Sequence, residues 1–396
     1  MRILYFVPRY WPSVGGAQNL ARSVVQHIST RHEVWVITQF TADTDSFVAS
    51  VANPTLAHYV DHQVPVQRIG PAGLWQPVVQ SLAKIYGKAR PINPLFAYAL
   101  NQSLVHQLVG ILHEFRPDIV HAVHIGLVYS SETAFAAAHK THIPFVWTPV
   151  PHIEGGGWSG KRFRRLYRCA DALVAMTNQE KQWLIGQGAA GERVHIVPPG
   201  LPFPVKSDAQ WFRKKHRLGQ SPLILFLGQK LPYKGYQQLA EAAPLVWADN
   251  PEVRFVFVGP RTPGSENFFS TFSDPRILEM GGVDEMEKNA AFAACDIFCM
   301  PSTQESLGIV YLEAWNYCKP VVAARIDTMK DVIDAGIDGL LVEKTPEAIA
   351  NALLQLLRDP QMRRTLGENG YTKVRQQYNW GNRIQQLEAV YTSLAA

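Results

Sequence analysis

Cysteine pairs, long apolar runs and an excess of one charge are all scarce in this chain, and each scarcity removes a class of function. The four cysteines, Cys169, Cys295, Cys299 and Cys318, show neither a disulfide framework nor metal-ligand spacing, and they read as reduced core thiols of a cytosolic protein. The first residues, MRILYFVPRYWP, hold about five consecutive apolar positions before a proline, far short of a secretory h-region. No other run approaches a membrane span, so the expectation is a cytoplasmic protein that is not threaded through a bilayer. A formal charge of +5 over 396 residues is too slight to argue for nucleic-acid binding. The dinucleotide fingerprint G-x-G-x-x-G is missing after the first strand, which disfavours a nicotinamide cofactor. No metal or other cofactor is expected.

What is present is alternation. Short β-branched and aromatic runs recur at 3–7, 33–38, 118–123, 144–149, 172–177 and 194–199, with helix-like segments such as AQNLARSVVQHIST (17–30) between many of them. That pattern predicts an α/β fold with doubly wound parallel sheets. The breaker-rich stretch PPGLPFP (198–204) then marks a linker, and a second series starts at 223–228 and continues at 254–259, 277–282, 296–301, 320–325 and 339–343. Two Rossmann-like domains follow, residues 1–200 and 201–379, expected to face a central cleft at their carboxyl edges. The amphipathic terminal helix near 380–396 is free to pack back on the first. Segments 41–65 and 71–97, broken by Trp75, Pro77, Tyr86, Pro91 and Pro94, read as loops.

Chemistry-bearing residues sit where strands end. Gly15 and Gly16 precede a helix whose first N–H groups can face an anion. In LFLGQKLPYKG (225–235), Lys230 and Lys234 suit a diphosphate, although loop lysines are commonly just solvated. QESLGIVYLEAW (304–315) places Glu305 before a turn and Glu313 eight residues on. A helix starting near Leu307 or Gly308 opens the amides of Ser306, Leu307, Gly308 and Ile309 to an anion. Carboxylates at either end can accept hydrogen bonds from sugar diols, and eight helical residues span roughly 12 Å, about the reach of a nucleotide diphosphate sugar. Glu313 lies within an apolar run, where an unpaired carboxylate is costly.

The segment PSTQESLGIVYLEA (301–314) followed by KPVVA (319–323) resembles the E-x7-E signature of retaining glycosyltransferases of the GT-B architecture, the glycosyltransferase family 4 group. GGAQ (15–18), PDIVHA (117–122), TPVPH ending at His152, Lys234-Gly235 and ACDIFCMPS (294–302) extend the resemblance over almost the whole chain. The resemblance implies that Glu313 holds the ribose hydroxyls of a UDP- or GDP-sugar and that Glu305 holds the hydroxyls of the donor sugar. It implies that Lys234, Gly16 and the amides of Leu307 and Gly308 neutralise the leaving diphosphate. The base would rest against 259–264 and 281–284, Val283 included, and His152 would reach the donor sugar from the N-terminal domain. His121, His124 and Trp158 are candidates for the acceptor side.

Two departures stand out. Gln229 occupies a position where the family commonly has arginine, with Lys230 as a compensating point charge, and PPGLP (198–202) replaces the family's usual linker. The expected activity is retaining transfer of a sugar, a hexose by the resemblance, to a hydroxyl of a glycan, a lipid-linked acceptor or a small molecule. A nucleotide-sugar epimerase and a non-catalytic nucleotide-sugar-binding module are the alternatives. WSGKRFRRLYR (158–168) carries five cations among aromatics, which suits peripheral contact with an anionic membrane, but the cluster is short and an ordinary solvated helix face is the simpler reading.

Overall fold

The structure, a computed structural model, describes residues 1–13, 15–39, 57–85, 92–123 and 128–395. The chain divides into two compact units, one of Met1–Pro151, Gly157–Pro199 and Trp380–Ala396, the other of His152–Gly156 and Gly200–Asn379.

In the first unit the order is β1 (Arg2–Phe6), α1 (Gly16–Ile28), β2 (Glu33–Thr38), β3 (Ala57–Asp61), β4 (Val64–Arg68), α2 (Trp75–Ile85), α3 (Ile92–Phe115), β5 (Ile119–Val123) and α4 (Val128–Lys140). Then come β6 (Phe145–Thr148), α5 (Lys161–Cys169), β7 (Ala172–Ala175), α6 (Asn178–Gly186) and β8 (Val194–Ile196). The sheet order is β3-β4-β2-β1-β5-β6-β7-β8, parallel except for the β3–β4 hairpin at its edge. β1, β5, β6 and β7 are buried along nearly their whole length, as strands covered on both faces must be.

The hairpin and the helix α2 lie where irregular loops were expected. Its two turn residues, His62 and Gln63, take φ of 47° and 68°, a turn usually signalled by Asn-Gly or Asp-Gly, so the sequence carried no hairpin signal. In α2 the buried pair Val79 and Ala83 recurs at helical spacing, and Pro77 sits in the first turn, where its missing N–H costs nothing. Residues 94–115 of α3 are long and apolar enough to cross a membrane, contrary to the expectation that no run approaches that length. Just over half of that helix is buried inside the first unit, against the sheet and beside α2 and α4, which accounts for its apolarity.

The second unit runs α7 (Ala209–Lys215), β9 (Leu223–Leu227), α8 (Tyr236–Asp249), β10 (Arg254–Val258), α9 (Pro263–Thr271), β11 (Ile277–Met280), α10 (Glu285–Ala294) and β12 (Ile297–Met300). It continues with α11 (Ile309–Asn316), β13 (Val321–Ala324), α12 (Asp327–Val332), β14 (Gly339–Val342), α13 (Pro346–Arg358) and α14 (Pro360–Gln377). Its strands order β11-β10-β9-β12-β13-β14, all parallel, so connectivity reverses between β9 and β12. The terminal helix α15 (Trp380–Ala395) belongs to the first unit, where Ile384, Leu387, Val390 and Tyr391 enter the core beside Ile3, Tyr5 and Val25. Cys295 and Cys299 are core thiols as expected, whereas Cys169 and Cys318 are exposed.

Candidate active site

In an open α/β sheet, ligands bind beyond the carboxyl ends of the two strands where the order reverses. In the second unit those strands are β9 and β12, and the loops that leave them carry Lys234 and Glu305. The first loop closes with a short 3-10 turn, Pro232–Lys234, and Gly235 at φ 80°. A Cβ on Gly235 would lie 2.5 Å from the carbonyl oxygen of Pro301, so glycine lets the loop cross the end of β12. The Thr303 amide donates to the Tyr233 carbonyl at 2.8 Å, tying the two loops together. In this frame the Lys234 ammonium donates to Glu305 Oε1 at 2.5 Å, the two side chains being 16% and 7% exposed.

Around that pair the side chains converge. The Lys234 ammonium lies 5.2 Å from the Tyr233 ring centroid, and the His152 ring meets Tyr233 nearly edge-on at 5.7 Å. His152 also hydrogen-bonds the Gln304 side chain, and burial lowers its pKa while Glu305 opposes the shift, which keeps the imidazole neutral near pH 7. His152 was expected to reach in from the N-terminal domain, yet its short segment packs within the second unit. Glu154 anchors that segment by accepting from the Thr328 hydroxyl at 2.8 Å and the Thr328 amide at 3.3 Å.

Glu305 is followed by Ser306, Leu307 and Gly308, and α11 begins at Ile309 with no side-chain cap. Gly308 takes φ 72°, and a Cβ there would lie 2.6 Å from the Tyr311 ring, so the turn into α11 requires glycine. The Tyr311 hydroxyl donates to the Met300 carbonyl, fixing the helix start to the end of β12. Only Ile309–Asn316 is helical, so the two glutamates are not on one continuous helix. Glu313, one turn into α11, accepts from Lys288 Nζ at 2.7 Å, and Lys288 also pairs with Glu285 at 2.9 Å. The cost foreseen for a carboxylate in an apolar run is thus met by a lysine from α10. Lys288, Tyr233 and Gln304 escaped the sequence reading because each reaches its partner across the fold.

Lys230 requires a correction. Its side chain is fully buried, and its ammonium donates to the carbonyls of Gly259 at 2.6 Å and Met280 at 2.5 Å and pairs with Glu279 at 2.7 Å. An ammonium has three N–H groups, and all three are taken, so Lys230 binds the ends of β10 and β11 together instead of serving a diphosphate beside Gln229. Burial lowers its pKa, with Glu279 opposing. Gln229 is exposed, Val283 is half-buried, and a Cβ on Gly281 would stand in open space.

The first unit presents Gly15 and Gly16 at the uncapped start of α1, with open space where a Cβ on Gly16 would stand. His121 is not an exposed acceptor-side group. It is 2% exposed, its Nδ1 lies 2.5 Å from the Tyr391 hydroxyl and its Nε2 2.7 Å from the Thr148 hydroxyl. Tyr391 in turn lies 2.6 Å from the Tyr5 hydroxyl, so the histidine ties α15 to the sheet, and burial lowers its pKa to about 3. It borders a cavity of about 30 Å³ lined mainly by apolar side chains. His124 lies outside the described residues. Trp158 is half-buried with its ring 5.3 Å from Phe163. On α5, Leu166 and Tyr167 enter the core and Phe163 packs against it, so these aromatics, expected at a membrane interface, turn inward and leave the cations and Cys169 outside.

Two Rossmann-like units, one with a lysine–glutamate pair at its switch point, define an α/β class whose ligands bind beyond the carboxyl ends of the strands. Comparison with known proteins narrows the class. Residues 14–202 match Glycosyltransferase Family 4 and residues 208–373 match Glycosyl transferases group 1. The chain belongs to this glycosyltransferase family. It is 28% identical over 306 residues to the sulfoquinovosyl transferase SQD2 of Arabidopsis thaliana, covering 71% of this chain and 58% of that protein. It is 30% identical over 255 residues to the phosphatidyl-myo-inositol mannosyltransferase of Propionibacterium freudenreichii, covering 62% of each. The chain thus spans less than two thirds of the length of these curated relatives. The structure of HepE from Anabaena in complex with UDP-glucose superposes with a TM-score of 0.76 at 19% identity, covering 99% of this chain and all of that one, a likeness of fold and of the GT-B architecture.

Proposed function

We propose that the protein moves a sugar, a hexose on the family resemblance, from a UDP- or GDP-sugar to an acceptor hydroxyl, with retention at the anomeric carbon. The observation that carries this reading is the Lys234–Glu305 pair, 2.5 Å apart, beside the uncapped start of α11. A diphosphate placed at that helix start meets free N–H groups, the positive end of the helix dipole and a lysine. Charge grows on the diphosphate as the glycosidic bond to the donor sugar breaks, and amides and an ammonium already in position stabilise it without reorganising.

Glu305 is freed to accept from donor-sugar hydroxyls when Lys234 turns to the phosphate. Glu313, steadied by Lys288, accepts from the ribose diol, and the base rests near Val283. The neutral imidazole of His152 offers one donor and one acceptor to the sugar. No protein nucleophile is assigned: the leaving phosphate takes the acceptor proton on the face it departs from, which gives retention. The UDP-glucose bound by HepE supports the donor class, and the mannosyl and sulfoquinovosyl transfer named for the relatives supports a hexose.

The test is turnover of a panel of UDP- and GDP-sugars with inositol, phosphatidylinositol and simple glycoside acceptors. Nucleotide diphosphate and an α-linked product should appear from an α-linked donor. A sugar isomerised without any acceptor would replace this reading with an epimerase, and nucleotide binding with neither outcome would leave a binding module.

A further inference from the structure

Exposed apolar surface is concentrated on one part of the first unit. Leu74 is 92% exposed, Leu95 58% and Tyr98 60%, and Trp75, Val78 and Ile85 are 37%, 42% and 41% exposed. All six lie on α2, on its approach, or in the first two turns of α3. Leu74, Val78 and Ile85 recur at four and seven residues, the spacing of one helix face. The Trp75 ring meets Tyr98 edge-on at 6.3 Å, which joins the two helices into a single patch. Val79 and Ala83, on the opposite side of α2, already hold the helix to the core, so the outer stripe is not needed for folding. Apolar side chains left outside in such a cluster mark a contact surface.

Charge selects the occupant. Between Asp61 and Glu114 the sequence has no aspartate or glutamate, and its lysines and arginines there are Arg68, Lys84, Lys88 and Arg90. Lys84 is exposed on α2 itself. The same face of the sheet carries α3, α4 and α5 in succession, each packed on the next, and α5 adds exposed Lys161 and Arg165. The apolar stripe, with exposed Lys84 beside it and no acid on α2 or the first turns of α3, matches an anionic lipid surface, where aliphatic and aromatic groups enter the headgroup–acyl boundary and ammonium groups meet phosphates; Glu132 on α4 is paired with Arg162 of α5. A second copy of the chain would bring the same cations against themselves.

We infer that the outer stripe of α2 and the first turns of α3 dock the protein on an anionic bilayer. This docking is independent of the transfer chemistry proposed above. The surface differs from 158–168, where Tyr167 is buried, Trp158 and Phe163 are half-buried, and the exposed side chains are cations.

The experiment is co-sedimentation of the full chain with vesicles of phosphatidylcholine containing about one third phosphatidylglycerol, and with pure phosphatidylcholine. Partition should favour the anionic vesicles and weaken with salt. It should fall at least about tenfold in the Leu74→Asp/Val78→Asp/Leu95→Asp variant, with an unchanged thermal midpoint because all three side chains are exposed. Failure of the parent to bind anionic vesicles overturns the inference, as does undiminished binding by the triple variant. Equal binding to both vesicle types overturns the electrostatic part. If the parent self-associates and the triple variant changes only that, the occupant is a second copy and the lipid assignment is wrong.

Discussion

Lys234 and Glu305, 71 residues apart in sequence, meet at 2.5 Å where the strand order of the second unit reverses. Removing one partner leaves the other charge largely buried. Lys234→Met should therefore destabilise the protein by about 3 kcal/mol, and Lys234→Met/Glu305→Gln should recover most of that loss, as read from urea unfolding. Transfer should stay impaired in both, and Glu305→Ala alone should lower kcat by about two to three orders of magnitude. Full activity in Glu305→Ala would detach this pair from the chemistry.

Gln229 is exposed at the end of β9, and neighbouring Lys230 is fully engaged with Gly259, Met280 and Glu279. A diphosphate bound here would thus lack the bidentate cation that the family resemblance leads one to expect. Gln229→Arg should tighten nucleotide diphosphate binding about tenfold, measured by calorimetry, because a guanidinium adds two aligned N–H donors. Unchanged affinity would place the phosphates away from this loop.

The buried histidine His121 has a pKa lowered to about 3 from 6.5. The unfolded chain takes up its proton below pH 6.5 and the folded chain does not, so this histidine's contribution to stability is complete above 6.5 and is lost as pH falls toward 3. His121→Phe should flatten the acid limb of a stability–pH curve, at the expense of the Tyr391 and Thr148 hydrogen bonds.

Glu180 behaves with the opposite sign. It is buried, one carboxylate oxygen accepts from the Met176 amide, the other has no partner, and burial raises its pKa to about 8 from 4.5. The folded protein keeps a proton that the unfolded chain releases, so stability falls as pH rises from 4.5 through 8. Glu180→Gln should match the parent near pH 4.5 and exceed it increasingly up to pH 8 in thermal melts. A constant difference across that range would contradict a neutral buried carboxyl.

Every strand buried on both faces was legible, because β-branched runs between turn signals have few other solutions. The β3–β4 hairpin was not, since His62-Gln63 is an unusual pair for its turn, and α2 was hidden by the breakers around it. At the site, the start of α11 and the roles open to Lys234 and Glu305 followed from glycine placement and charge type. Lys230 did not, because sequence shows a loop lysine but not that it folds under the sheet edge. Lys288, Tyr233 and Gln304 depend on contacts between distant segments, which single-sequence spacing does not encode.

The proposed chemistry needs a diphosphate between Lys234 and the start of α11. Calorimetric titration of the parent and of Lys234→Met with UDP, GDP and the corresponding nucleosides tests it most directly. One diphosphate should bind the parent and lose at least about tenfold in affinity in the variant, while its nucleoside binds both alike. Equal diphosphate affinity in the two proteins would contradict it.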